Sequence, residues 1–102
     1  MASGSISNHN WKKKDSSVTY ANLNFNELLC ELSTPNNDAT SFTFHISKDM
    51  LDSTFKVFRS GYYMNSTFYG DVYLQISNST IGAYGIRHNT QNQPTTLTIY
   101  YR

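Results

Sequence analysis

The sequence predicts an all-β chain folded as a single antiparallel β-sandwich, jelly-roll-like, with about eight short strands. Three observations predict it. Apolar and polar residues alternate with period two in successive short runs, the signature of strands buried on one face. Clusters of Asn, Ser, Thr and Pro separate those runs every 8–12 residues. A single stretch of helix-like spacing, "SKDMLDS" at 47–53, is short enough to be one turn crossing the sandwich.

In chain order, "WKKKD" and "SVTYA" read as two short strands. In "FNELLCELS", Leu28, Cys30 and Leu32 face one way while Glu27, Leu29 and Glu31 face the other. In "SFTFHIS", Phe42, Phe44 and Ile46 alternate with Thr43 and His45. In "DVYLQIS", Val72, Leu74 and Ile76 alternate with Asp71, Tyr73 and Gln75, and the closing "TLTIYYR" sets Leu97, Ile99 and Tyr101 against Thr98 and Tyr100. The apolar set of each strand is expected to form the core. Turns are expected at 34–38, 64–67, 77–79 and 89–94, where Pro35 fixes its φ and the Asn residues tolerate left-handed backbone.

The stretch from Thr54 to Met64 does not alternate cleanly. Phe55, Val57 and Tyr63 fall on one face, and Phe58, Tyr62 and Met64 on the other. A strand apolar on both faces needs two covers. The second cover is a local loop, a ligand or another subunit, unless a bulge at Gly61 brings both sets to one side. Phe58, Tyr62 and Met64 are the residues expected at an oligomer interface.

The chain has 102 residues, the size of one small domain. The opening "MASGS" reads as an expression leader, and residues 6–102 as one domain that closes a longer chain. Net charge is +1 and only 15% of residues are charged, so no strong field draws the protein to nucleic acid or to an acidic membrane. Ser, Thr, Asn and Tyr supply most of the polar surface, a composition that fits an extracellular or virion surface. No apolar run approaches the roughly 20 residues of a spanning helix. Neither a nucleic-acid nor a membrane partner is expected.

Little in the sequence points to catalysis or to a metal or other cofactor. Cys30 is the one cysteine, in register with Leu28 and Leu32, and reads as a small core residue. His9, His45 and His88 are too far apart to show a metal-ligand spacing and read as solvated histidines. Asp49 and Asp52 read as capping residues for the helical turn, because two carboxylates make a poor oxygen cage. Lys12, Lys13 and Lys14 beside Trp11 read as a charged sheet edge that discourages pairing. Two sequons, at Asn65 and Asn78, fall on expected turns.

The succession "WKKK", "NLNFNELLCEL", "FTFHISKDML", "FKVFRSGYY", "FYGDVYLQIS" and "TLTIYYR" resembles small C-terminal domains of tail-fibre and baseplate proteins of phages and prophages from Gram-positive and gut bacteria. The resemblance covers about residues 11–102, most specifically "FNELL", "FRSGYY" and "IYYR". It implies a receptor-binding head, a β-sandwich that is usually trimeric. Such a head is non-catalytic, stands at a virion tail tip or otherwise outside the cell, and recognises host cell-surface saccharide. Under that reading "FRSGYY" is a framework strand, and recognition belongs to loops 34–40, 64–69 and 88–94. Asn65, Tyr69, His88 and Asn89 are the expected ligand-binding residues. Two other functions fit the same residues: a structural trimerisation or attachment tip without a ligand, and a carbohydrate-binding module of a secreted enzyme.

Overall fold

Two-residue periodicity commits each strand to one buried face, so the fold follows from how those faces are brought together. The computed structural model describes residues 10–35, 41–88, 93 and 95–102. Among them are seven strands: β1 (Lys12–Lys13), β2 (Glu27–Ser33), β3 (Ser41–Ser47), β4 (Lys56–Asn65), β5 (Phe68–Ile76), β6 (Ile81–Arg87) and β7 (Leu97–Tyr101). They form two antiparallel sheets, one of four strands in the order β1-β7-β2-β3 and one of three in the order β4-β5-β6. The expected β-sandwich is present. The three-stranded sheet is a plain meander.

The core lies between the sheets. Leu28, Cys30, Leu32, Ile46, Val72, Leu74, Ile76 and Ile99 are buried, with Phe42, Phe44 and Leu97 packed against them, as the alternation predicts. Each fully buried aliphatic side chain contributes about 1.5–3 kcal/mol over leaving it in water. Tyr20 and Phe25 complete one end of the core, their rings 6.0 Å apart. The Tyr20 hydroxyl donates to the Ser77 carbonyl at 2.8 Å, tying the first connection to the end of β5.

Three expectations are corrected, and one strand, β6, is added. "SVTYA" is not a strand: Tyr20–Asn22 is a single 3-10 turn, because burying the Tyr20 ring under the sandwich bends the chain there. The helix-like stretch is a single turn as expected, the 3-10 turn Lys48–Met50, but no side chain caps it, so the capping role expected of Asp49 and Asp52 is corrected. Asp52 instead accepts the Thr54 amide at 2.8 Å, shaping the entry to β4. Strand β6 carries no clear apolar period, since glycines and Ala83 occupy positions a strand would fill with larger side chains. Finally, the irregularity in β4 is not at Gly61. Register shifts between Tyr63 and Asn65, leaving Met64 as the extra residue of a bulge just before the hairpin turn.

Candidate functional site

The outer face of the three-stranded sheet is built from the residues that alternate with its core set. The register places Val57, Gln75 and Gly82 in one cross-strand row, and Arg59, Tyr73 and Tyr84 in the next. Gly61, Asp71 and Ile86 follow, and Tyr63, Tyr69 and His88 end the face. Tyr73 and Tyr84 stack with centroids 4.7 Å apart and planes 9° from parallel. Tyr63 lies 6.1 Å from Tyr69, and Tyr69 lies 5.1 Å from His88. Four tyrosines therefore run along one sheet face. Tyr63 is 72% exposed, and the surface above Gly82 is open.

Two charged groups share this face. Arg59 is exposed and Asp71 half-buried. Neither makes an ion pair or side-chain hydrogen bond among the described residues. An Asp71 carboxylate oxygen leans over the neighbouring strand, 3.0 Å from where a Gly61 Cβ would stand. Only a glycine leaves the carboxylate that position without displacement.

The expected loop site is brought together in part. Tyr69 and His88 are in ring contact, with Phe68 6.4 Å from the imidazole. His88 has φ 54°, and its Nε2 is buried without a hydrogen-bond partner among the described residues. This is not the fully solvated histidine expected. The Asn65 side chain is committed to its own turn, where Oδ1 accepts the amides of Thr67 and Phe68 at 2.8 and 3.1 Å. Asn89 lies outside the described residues, as does His9.

The expected interface set divides. Phe58 pairs in register with buried Leu74 and packs against the core, 6.0 Å from Phe44. It is an inner-face residue rather than part of an exposed row, because β5 and the other sheet already cover it. Tyr62 lies on the same inner phase and is half-buried, whereas Met64 is exposed at the bulge. The exposed apolar residues of this region are Phe55, Val57, Tyr63, Met64 and Phe68.

The opposite face, on the four-stranded sheet, is different. Glu27 accepts from Arg102 Nε at 2.6 Å and meets His45 Nε2 at 3.1 Å. The Arg102 guanidinium stands 4.2 Å over the Trp11 ring, and Trp11 meets His45 edge-on at 5.7 Å. The Arg102 hydrogen bond, with His45 beside it, holds the Glu27 carboxyl below the usual glutamate range. A shallow hollow there is lined by Glu31, Ser33, Ser41, Thr96 and Thr98.

No group of three potential metal ligands occurs among the described residues. Burial pushes the Cys30 thiol up to about 12, so it is an inert core residue. The sequence reading missed Tyr73, Tyr84, Arg59 and Asp71. The signal for two of them was present, since Asp71 and Tyr73 occupy the outward phase of "DVYLQIS". Compared with protein-family models, curated proteins and solved structures, the chain matches none.

Proposed function

We propose that this domain is the non-catalytic receptor-binding head of a phage or prophage tail fibre and recognises a host cell-surface saccharide. The observation that carries the reading is the tyrosine row on the outer face of β4-β5-β6, with Arg59, Asp71 and Gln75 interleaved. Tyrosine rings present flat apolar faces to the C–H faces of a sugar. Carboxylate, amide and guanidinium groups bond its hydroxyls. The rings are rigid, so binding orders few torsions.

Under this reading recognition uses a sheet face joined to Tyr69 and His88, rather than loops alone. An open, shallow face suits a chain of sugars lying across the strands.

The test is binding of the purified domain to host wall polysaccharide, followed by calorimetry or glycan array. Tyr73→Ala and Tyr63→Ala should each weaken binding by about tenfold or more, the scale of a recognition hot spot. Thr43→Ala, on the opposite sheet, should leave it unchanged. Equal affinity for all three variants would exclude the tyrosine face. Absence of binding to any host glycan would favour a structural tip.

A further inference from the structure

The tyrosine face ends at β4, which pairs with no further strand among the described residues. Edge strands in soluble proteins are usually kept short or guarded by proline or charge. Strand β4 has ten residues and no proline, and Arg59 is the one charge on its outward phase. Of the other edges, β3 also lacks proline and formal charge but is shorter, at seven residues. Strand β1 has two residues, both lysines, and β6 is partly covered by the bridge from Gly85 to Gln93.

We infer that β4 is the docking edge for a second copy of this chain, paired antiparallel about a two-fold axis through Ser60. Charge and shape select this register. With Ser60 opposite itself, Arg59 faces the second copy's Gly61, over which that copy's Asp71 carboxylate leans. Adjacent strands lie about 4.8 Å apart, so the Cα atoms of Arg59 and the second copy's Asp71 are about 10 Å apart. That is within the combined reach of the two side chains, and the contact forms twice. Each pairs groups that have no ion-pair partner among the described residues of one chain.

The same register sets Val57 against the second copy's Tyr63. These residues are 55% and 72% exposed, and an aromatic opposite a β-branched residue is a favourable cross-strand pair. Phe58 meets the second copy's Tyr62 on the inner phase. Shifting the axis one residue toward Arg59 puts two arginines opposite each other, and shifting it toward Gly61 apposes the two Asp71 carboxylates. Both shifts bring like charges together.

The pairing makes one six-stranded sheet and joins the two tyrosine faces, with Arg59 of each copy completing the polar group at the other's Asp71. It replaces the threefold arrangement implied by the sequence resemblance with a two-fold one, does not depend on the identity of any ligand, and is tested by mass, not binding.

Light scattering or sedimentation equilibrium should show twice the 11.7 kDa chain mass within about 1–200 µM, the range of a modest interface. Arg59→Asp and Asp71→Arg should each weaken dimerisation by about tenfold or more, and the double charge swap should restore it. Val57→Lys should weaken it without touching the ion pair. Circular dichroism checks that each variant folds. A single-chain mass at the highest concentration, a three-chain mass, or a double swap no tighter than the single variants would overturn the proposal.

Discussion

The two outer faces of the sandwich handle polar and aromatic residues in opposite ways. On the four-stranded sheet, Glu27, Arg102, His45 and Trp11 satisfy one another through short contacts. On the three-stranded sheet, Arg59 and Asp71 stand on one face without an ion pair between them, among tyrosines that are stacked or open to solvent. A face whose charges are already paired gains little from a ligand, because the ligand must displace existing bonds. A face with charges held apart and rings exposed gains on being covered. The difference separates a finished surface from one built to be occupied.

The comparison can be broken first at its base. Gly70 lies in β5 at the edge of the tyrosine face, and a Cβ there would stand 1.8 Å from the Ile86 carbonyl oxygen. Gly70→Ala should therefore force β5 and β6 apart and cost on the order of 3 kcal/mol, measured in urea melts. A loss below about 0.5 kcal/mol would mean the strands are not held this closely at Tyr69 and His88.

A smaller effect separates packing from recognition. Tyr84→Ala removes the stack on Tyr73 and should cost about 1 kcal/mol of stability, the worth of an aromatic pair. A loss near that of a core truncation, about 3 kcal/mol or more, would make Tyr84 a structural residue rather than part of an open face.

The smallest effect belongs to the satisfied face. Because Glu27 is held below its usual range, its ionised form is favoured in the folded chain. Its contribution is fully present above the unfolded glutamate value near 4.3 and fades as pH falls through the lower folded value. Glu27→Gln should flatten that part of the acid unfolding profile and leave saccharide binding unchanged. An unaltered profile would show that the Arg102 pair adds nothing to stability.

The fold was legible where large residues keep one phase. Strands β2, β3, β5 and β7 each carry three such positions, so their core residues followed from alternation alone. Strand β6 was illegible because Gly82, Ala83 and Gly85 leave too little apolar volume to show a phase. Its place is set by pairing with β5 over seven positions. Tyr20 looked like a strand residue, and only the tertiary position of Ser77 makes it a turn residue with a buried hydroxyl. In the site, Tyr69 and His88 were singled out from two separate loop stretches, but Tyr69 lies in β5, and its ring contact with His88 was not legible. The contact of Phe58 with Phe44 was not legible, because Phe44 comes from the other sheet and is distant in sequence. The stacked Tyr73 and Tyr84 needed the register between β5 and β6, which no local pattern encodes.

The position of β7 between β1 and β2 has a consequence for the order of folding. The β2-β3 pair and the β4-β5-β6 meander join segments that are near in sequence, so their loops close at small entropic cost. The four-stranded sheet cannot knit β1 to β2 until β7, translated after both, arrives between them. The route should thus run through a half-assembled species with one complete sheet and one split. In pulse-labelled hydrogen exchange the Ile99 and Tyr101 amides should gain protection after those of Leu74, and simultaneous protection would indicate a single concerted step.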